Sequence, residues 1–399
     1  MVRGPGHTFE LRVLSYRILH TADVHLDRQF SRIGSDASLP ERRRRGLRDA
    51  LTSLGTIAQE QHCDLVSIGG DLYEDNYSTK GTAEFLKTTF ASWAPLRVAI
   101  SPGNHDSFYG SSLWATTDWP DNVHIFRETV FTQLALGDDL FLWGLAHPDD
   151  SWTGNPFSGC SLPATGTHIA LFHGAETGSR PPDKAIHGPF RAEQIYDTGF
   201  SVALCGHYHA RRIDQATGLI YPGTMEPLAL DETGPRGPVV LEMTGGGRWR
   251  CDPLETNRWE ALEIAYAVPE GSTFAQLGES VSQAINSGVG NAQGRPPRCL
   301  VRVSLNGPAP EIAGGGLHTR GRELEEMILE KTGVAEVSLV DQTRPSSALE
   351  ELASEPTVRG EFVKEIQARM ETASESERPI LQSALEYGLA ALAGEIPPL

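Results

Sequence analysis

Short apolar runs recur along the first part of the chain, and each is followed directly by Gly, Asp, His or Asn. Between Tyr16 and about Met243 these runs are YRILHTAD, DLVSIGGD, LRVAISPGNHD, DLFLWGLAH, THIALFHG and FSVALCGHYH. Such runs are typical of buried strands that lead into polar loops. Helical stretches at Pro40–Gln61 and Thr79–Trp93 separate the first strands, so the pattern predicts a largely parallel α/β sheet. The later runs GLIYPGT and GPVVLEM lie close together and indicate a second sheet.

The pattern changes after Arg258. The runs ALEIAYAV, FAQLGESVSQAI, CLVRVSLNG, RELEEMILEKT and VAEVSLV read as strand, helix, strand, helix and strand, which predicts a small separate α/β domain. A polar, linker-like segment then precedes two amphipathic helical stretches, Thr357–Thr372 and Glu377–Ala393. The predicted organisation is an N-terminal extension, a main domain, a small α/β domain, a linker and a helical tail, at residues 1–15, 16–257, 258–342, 343–356 and 357–399.

The charge balance is acidic, with 34 Lys and Arg against 52 Asp and Glu and a formal net charge of -18. This excludes nucleic-acid binding by the overall field of the protein, so any contact with DNA is expected to be local or shared with a partner. The five cysteines are scattered without a C-x-x-C pair, which indicates a reducing, cytoplasmic location. The sequence lacks the apolar run of a signal peptide or a membrane helix, so we expect a soluble protein without membrane contact.

The polar loops carry the residue types of a metal centre. In open α/β sheets ligands bind at the carboxyl ends of the strands, so these loops are expected to converge. They supply two Asp, one Asn and four His without any Cys, at Asp23, His25, Asp71, Asn104, His173, His207 and His209. Within D-x-H and G-H-x-H, strand alternation predicts that both side chains point to the same side. This donor set suits a roughly octahedral pair of Mn, Fe or Zn ions rather than structural zinc.

Five motifs in a fixed order carry a family resemblance: D-x-H, GD, GNHD, a His after a strand, and G-H-x-H. With them the chain resembles the calcineurin-like metallophosphoesterase family. The segments LHTADVHLD and IYPGTMEPLALDETGPRG resemble the SbcD-type DNA repair exonucleases of this family, especially their YhaO-like branch, over roughly residues 16 to 260. The resemblance implies an α/β fold, a four-layer α/β/β/α sandwich with a small α/β capping domain and a helical C-terminal tail.

The resemblance also implies two divalent metal ions, with the ligands in two sets joined by a bridging carboxylate. The sets are Asp23, His25 and His209 for one ion, Asn104, His173 and His207 for the other, and Asp71 as the bridge. We expect Mn2+ as the metal, with Fe, Zn or Mg as alternatives. Such a pair would polarise a phosphodiester and activate water for its hydrolysis.

Three further residues are assigned to the same site. His105, in GNHD, is expected to stabilise the transition state or protonate the leaving oxygen, and Asp106 is expected to orient it, which makes both catalytic residues. Many nucleases of this type have His or Asp three residues after the bridging Asp, whereas this chain has Glu74. Glu74 is therefore a candidate substrate-binding residue.

The resemblance favours hydrolysis of DNA, by an exonuclease or endonuclease subunit of a DNA repair or processing complex with an SMC-like, ABC-type ATPase. The tail would dock on the coiled coil of that partner or pack against the chain's own small domain. A stand-alone phosphodiesterase or phosphatase for nucleotides or small phosphoesters would use the same centre, and the acidic charge favours it. A non-catalytic scaffold is a third alternative, against which the intact site argues, and a homodimer is a further alternative for the assembly.

Overall fold

The structure, a computed structural model, describes residues 15–30, 37–137, 139–179, 186–291, 296–308, 317–344, 347–374 and 377–392. Except for residue 15, the predicted N-terminal extension lies outside the described residues. The chain divides into two units, the first made of Met1–Phe30, Glu41–Leu228 and Pro235–Arg258 and the second of Ser31–Pro40, Ala229–Gly234 and Trp259–Leu399. Within the described ranges, no helix has the length and apolar character needed to cross a bilayer.

The strands and helices are numbered in chain order. The strands are β1 (Tyr16–Thr21), β2 (Leu65–Ile68), β3 (Arg97–Ile100), β4 (Val123–Ile125), β5 (Thr132–Ala135), β6 (Leu140–Gly144), β7 (Thr167–His173), β8 (Val202–Gly206), β9 (Arg212–Asp214), β10 (Leu219–Tyr221), β11 (Val239–Thr244), β12 (Arg248–Pro253), β13 (Glu260–Ala267), β14 (Cys299–Pro308) and β15 (Glu336–Arg344). The helices are α1 (Leu39–Glu60), α2 (Lys80–Ser92), α3 (Leu113–Thr116), α4 (Gln194–Thr198), α5 (Phe274–Asn291), α6 (Leu317–Thr332), α7 (Ser347–Ser354), α8 (Val358–Thr372) and α9 (Arg378–Leu392).

The first unit contains two sheets, each with six strands among the described residues. Their strand orders are β12-β11-β1-β2-β3-β4 and β5-β6-β7-β8-β10-β9. Strands β1 to β4 pair in parallel, as predicted for the first sheet. Strand β10, from GLIYPGT, lies in the second sheet, but β11, from GPVVLEM, pairs antiparallel with β1 in the first. The expectation that β10 and β11 lie together in the second sheet was wrong. The edge of β1 is left open in the first sheet and is covered by β11, and closeness along the chain does not reveal this pairing.

Apolar positions at helical spacing explain why α1 covers the first sheet. Leu47, Leu51 and Leu54 are buried on one face of α1 and pack with Val66 and Ile68 of β2. Burial of a leucine side chain contributes roughly 1.5–3 kcal/mol, so this face holds the helix in place. The predicted bounds of α1 differ from the observed bounds by one residue at each end.

Helix α2 begins at a capping box. The side chain of Thr79 accepts a hydrogen bond from the first turn, and the side chain of Thr82 accepts one from the backbone N–H of Thr79. Because such a cap satisfies backbone donors that the helix leaves open, the local sequence determines where the helix starts.

Two further apolar layers complete the first unit. Between the sheets, Ile18 and Leu65 pack with Ile169 and Leu204. On the outer face of the second sheet, a separate cluster includes Ile195 of α4. The order helix, sheet, sheet, helix is the expected α/β/β/α sandwich, and the predicted fold class is confirmed.

The second unit contains a parallel sheet of order β13-β14-β15, connected by α5 and α6. Val281 and Ile285 of α5 and Leu324 of α6 are buried with Val301 and Val303 of β14. The observed order of strands and helices is the predicted one. The placement of this domain as a cap stays a prediction.

Helices α7, α8 and α9 pack on one another. Val363 and Ile366 of α8 are buried with Leu385 of α9, and Leu349 and Leu352 of α7 pack against them. The segment 343–356 was expected to be a linker, and this was wrong, since it contains α7 and the end of β15. A helix this short is stable only when tertiary contacts cover its apolar side, which the local sequence does not show.

Candidate functional site

The seven predicted ligand residues lie at the carboxyl ends of strands in the first unit. Asp23 and His25 follow β1, Asp71 follows β2, Asn104 follows β3, His173 ends β7, and His207 and His209 follow β8. Since β1, β2 and β3 are parallel, as are β7 and β8, their ends lie at one edge of each sheet. A direct contact joins the two edges, because the backbone N–H of His207 donates to Asp23 Oδ2 at 3.0 Å.

Four of these residues have left-handed backbone conformations. The φ angles are +52° at Asp23, +53° at His25, +51° at Asp71 and +115° at His207. Positive φ is uncommon outside glycine, costs about 1–3 kcal/mol per residue, and is concentrated at functional sites. The sequence analysis attributed the shared direction of the Asp23 and His25 side chains to strand alternation. That explanation is wrong, because β1 ends at Thr21 and both residues lie in the loop after it. Both side chains are nevertheless buried.

The Asp71 carboxylate lies between two imidazoles, one from the end of β7 and one from the loop that follows β1. Its Oδ2 atom is 3.3 Å from His173 Nε2 and 3.7 Å from His25 Nε2. The same nitrogen of His173, Nε2, also lies 3.3 Å from Nδ1 of His207. Ligand atoms within 4.8 Å of one another form three overlapping groups: Asp23, His25 and His209; His25, Asp71 and His105; and Asp23, Asp71 and His173. Asp23, His25 and Asp71 each belong to two of these groups, so the bridging role of Asp71 and the assignment of each ligand to one ion stay predictions.

Several potential ligand atoms at this centre are buried and accept or donate no hydrogen bond within the described residues. Among the described residues, His25 Nε2, Asn104 Oδ1 and His207 Nε2 have no hydrogen-bond partner. Buried polar atoms are normally paired, because an unmade hydrogen bond costs about 1–3 kcal/mol. These imidazole nitrogens and the amide oxygen lie next to the buried carboxylates of Asp23 and Asp71, and together they form a set of ligand atoms suited to divalent cations. The residues present therefore fit a pair of metal ions.

The close packing of carboxylates and imidazoles shifts their pKa values. Burial opposes ionisation of Asp71, yet His173 and His25 hold the pKa of Asp71 well below its usual range. Burial lowers the pKa of His173, but the charge of Asp71 outweighs it and raises that pKa above the ordinary value. Burial, reinforced by His173, lowers the pKa of His207 to about 2, so His207 is neutral at pH 7 and keeps a lone pair for a metal.

Asp106 contacts the backbone around Asp71 rather than His105. Its fully buried carboxylate accepts hydrogen bonds from the N–H groups of Asp71, Leu72 and Gly103 at 2.9, 2.9 and 2.7 Å. Burial, together with the nearby Asp71 carboxylate, raises the pKa of Asp106. The prediction that Asp106 orients His105 is wrong, because this carboxylate is directed at the backbone donors of two loops.

Glu74 is the carboxylate that contacts His105. Its Oε2 atom lies 2.8 Å from His105 Nδ1, and its Oε1 atom lies 2.9 Å from His25 Nδ1. Burial alone would raise the pKa of Glu74, but the hydrogen bonds from the two histidines lower it to about 2. The hydrogen bond with Glu74 raises the pKa of His105 to about 9, so His105 is protonated at neutral pH. The sequence motifs singled out Glu74 and assigned it to substrate binding. In the structure, both oxygens of its carboxylate contact histidines instead.

A cavity of about 680 Å³ opens beside these residues, and its lining includes Asn104, His105, Asp75 and Tyr109. His187 also lines this cavity, and its ring centroid is 5.7 Å from that of His207. The motifs did not point to His187, because it does not directly follow a strand. The cavity places the half-exposed His105 ring between the ligand cluster and solvent.

Comparison with known proteins agrees with this geometry. Residues 16–211 match the family model of the calcineurin-like phosphoesterases. This part of the chain belongs to that family. Members of the calcineurin-like phosphoesterase family bind two divalent metals, and the reaction class of the chain is accordingly metal-dependent phosphoester hydrolysis.

One curated relative and two solved structures are similar to the chain. The relative is the uncharacterized metallophosphoesterase YhaO of Bacillus subtilis (strain 168), 26% identical over 309 residues that cover 73% of this chain and 72% of YhaO. The structure of TT1561 from Thermus thermophilus is 12% identical, with a TM-score of 0.35, and covers 60% of this chain and 99% of its own. A dimetal phosphatase from Danio rerio (LOC 393393) is 14% identical, with a TM-score of 0.32, and the match covers 60% of this chain and 98% of the phosphatase.

Proposed function

We propose that this chain hydrolyses the phosphodiester bonds of DNA. The observation that carries the hydrolytic part is the position of His105, which belongs to a ligand group with His25 and Asp71 and also lines the cavity. A reacting phosphate in this cavity would therefore contact the ligand cluster and a protonated imidazole together. An inactive scaffold has no need for that arrangement.

The residues of the chain have distinct tasks in this reaction. Divalent ions, when bound, supply positive charge against the phosphate oxygens and lower the pKa of water. Asp23, Asp71 and the histidines around them would hold these ions. His105, protonated because of Glu74, would donate its proton to the leaving oxygen, a step that typically contributes about 10²–10⁴-fold to the rate.

DNA as the substrate is supported by the SbcD-type motifs and by a cation near the site. The guanidinium of Arg28 lies 3.7 Å from Glu74 Oε1, and one third of its side chain is exposed. A partly exposed arginine next to the site can contact a backbone phosphate although the whole chain carries a net charge of -18. The expected metal is Mn2+, and the expected location is the cytoplasm.

A second candidate substrate is a small phosphoester. The cavity beside His105 is lined by Asp75, Asp149 and Asp150. Carboxylates in the lining of the cavity repel an extended polyanion more than a compact substrate with one phosphate. This lining favours nucleotides or other small esters, which the same ligand cluster would hydrolyse.

An SMC-like ATPase is the proposed partner for the DNA reaction. A partner that supplies basic surface would offset the acidic charge of the chain, since phosphate contacts dominate the affinity for DNA. The helical tail at residues 357–399, which includes α8 and α9, is the segment proposed to dock on it, and a homodimer is the proposed alternative. The test is whether the purified ATPase stimulates cleavage by the full chain.

Cleavage of end-labelled linear and single-stranded DNA with Mn2+ tests the function. Wild type is compared with His105→Ala, with His209→Ala and with the control His124→Ala, a residue of β4 whose ring packs against Phe126 and which belongs to none of the ligand groups found among the described residues. We expect metal-dependent cleavage in wild type and control and its loss in the two site variants. Hydrolysis of bis(p-nitrophenyl) phosphate without DNA cleavage, even with the ATPase, would instead select the small-ester reaction.

A further inference from the structure

Tyr109 is an exposed aromatic residue in the lining of the cavity that also contains His105. It is 39% exposed, and Pro148 and His187 line the same cavity of about 680 Å³. A single exposed aromatic side chain is common on protein surfaces and has no meaning by itself. Here, however, the ring shares a cavity with the candidate proton donor. It can therefore contact the part of a substrate that extends away from the ligand cluster.

Two anchors hold Tyr109 in place. Its hydroxyl group donates a hydrogen bond to Oδ2 of Asp75, and the backbone N–H of Asp75 donates to the carbonyl of His105 at 3.0 Å. Its backbone carbonyl accepts hydrogen bonds from the buried Ser112, at 2.8 Å from Oγ and 2.9 Å from the N–H group. The ring is thus tied to the loop of His105 through Asp75. A side chain that is already ordered loses little entropy on binding, which favours affinity.

The rest of the cavity offers little to attract an anion. Among the described residues, its lining contains Asp75, Asp149 and Asp150 but neither Arg nor Lys. The affinity for the organic part of a phosphoester must therefore come from contacts that need no positive charge. Stacking on an aromatic ring is such a contact, and it is open to every nucleobase because each base has a π-face.

We propose that the ring of Tyr109 is a subsite on which the nucleobase next to the scissile phosphate stacks. The inference deepens the proposed function and rests on it for the link to hydrolysis. In that reaction water adds to phosphorus, the bond from phosphorus to the leaving oxygen breaks, and this oxygen takes the proton of His105. Because Asp75 ties Tyr109 to the loop of His105, the stacked base belongs to the nucleoside that leaves. A DNA strand and a free nucleotide both supply such a base.

Three variants separate stacking from the hydrogen bond to Asp75. Tyr109→Phe keeps the aromatic ring but loses the hydroxyl group that Asp75 accepts from. Tyr109→Leu keeps an apolar side chain but has no flat ring. Tyr77→Leu is the matched control, because Tyr77 is also an exposed tyrosine, at 51%, and lies two residues after Asp75 but does not line the cavity.

Binding is measured first, as the quenching of 2-aminopurine fluorescence when this base analogue stacks. The probes are 2-aminopurine deoxyribonucleoside monophosphate and single-stranded oligonucleotides with 2-aminopurine at either end, each titrated with the full chain in Ca2+. Hydrolysis is then measured in Mn2+ with pairs of substrates that differ only in the base. In one pair an oligonucleotide ends in thymidine or in an abasic residue, and the other pair is thymidine monophosphate and deoxyribose phosphate.

We expect wild type to quench at least one probe. Quenching of the oligonucleotides alone identifies a DNA strand as the source of the base, and quenching of the mononucleotide alone identifies a free nucleotide. Tyr109→Leu should raise Kd about 5–150-fold, which corresponds to about 1–3 kcal/mol for the stacking of one base. Tyr109→Phe and Tyr77→Leu should stay close to wild type. In the hydrolysis assay, Tyr109→Leu should raise KM for the substrate with a base and leave its abasic counterpart unchanged.

The absence of quenching by wild type, or an unchanged Kd in Tyr109→Leu, overturns the proposal. An equal loss in Tyr109→Phe and Tyr109→Leu also overturns it, because the hydrogen bond to Asp75 is then the important feature rather than the ring. Failure of the proposed function gives a different result. A wild type that quenches through Tyr109 but hydrolyses no member of either pair, even with the ATPase, refutes the proposed hydrolysis and leaves the subsite in place.

Discussion

Asp106 Oδ1 accepts a hydrogen bond from the backbone N–H of Asp71 at 2.9 Å. The same oxygen also accepts one from Gly103, and Oδ2 accepts one from Leu72. A single buried carboxylate therefore joins the loop that follows β2 to the loop that follows β3. Asp71 has a φ of +51°, and this anchor helps to keep its backbone in that conformation.

Substitution of Asp106 should destabilise the protein before any metal is bound. In Asp106→Ala three buried N–H groups lose their acceptor, and we expect the free energy of unfolding to fall by about 3 kcal/mol or more. Urea unfolding in the presence of EDTA measures this loss. The control Asp121→Ala removes an exposed carboxylate and should change the free energy by less than about 0.5 kcal/mol. Equal urea midpoints for the two variants would contradict the anchoring role.

A methyl group at Gly103 should displace the carboxylate of Asp71. A Cβ atom there would lie 2.4 Å from Asp71 Oδ1 and 2.8 Å from His173 Nδ1, closer than atoms can approach. Gly103→Ala should therefore weaken Mn2+ binding, which calorimetry on the apo protein measures. Gly110→Ala is the matched control, since a Cβ atom at Gly110 meets nothing within 4 Å. Retention of wild-type Mn2+ affinity in Gly103→Ala would show that Asp71 is not needed in its present position.

Metal removal should lower thermal stability through the same cluster. A ligand present at 100 times its dissociation constant stabilises the folded state by about 2.7 kcal/mol. We expect Mn2+ to raise the melting temperature relative to EDTA in wild type and in His124→Ala. In His173→Ala the difference between the two conditions should be strongly reduced. A full Mn2+ shift in that variant would remove His173 from the set of ligands.

Acid should destabilise the protein partly through His20, which is buried between the sheets. Its Nδ1 atom is 3.0 Å from Ser67 Oγ, and burial lowers its pKa from 6.5 to about 4. The unfolded chain takes up the proton first, so this stabilisation is complete above pH 6.5 and is lost as the pH falls from 6.5 toward 4.

Urea unfolding at pH 7 and pH 5 measures this effect. Between these values His20→Gln should lose roughly 2 kcal/mol less stability than wild type, because each pKa unit corresponds to about 1.4 kcal/mol. Other buried histidines such as His147 titrate equally in both proteins, so the difference isolates His20. The same pH dependence in wild type and variant would show that His20 is not the group responsible.

Helix positions and ligand types follow from local sequence. Thr79 forms the cap of α2, and the leucines of α1 recur at helical spacing, so both helices can be predicted from short stretches of sequence. Asp71 and the GNHD run appear in loops after strands because polar residues there interrupt buried apolar runs. Metal-ligand chemistry is likewise a property of residue types, which explains why the motifs alone predict a two-metal centre.

Only the tertiary structure decides which groups meet. The pairing of β11 with β1 and the different partners of Asp106 and Glu74 depend on contacts between segments far apart in the chain. Helix α7 depends on its packing against α8 and α9. Asp106 is adjacent to His105 in sequence, yet the contact with His105 is made by Glu74, 31 residues away. The physical reason is that hydrogen bonds are short and directional, so backbone conformation and loop position select the partner, while the sequence determines only which donors and acceptors are available.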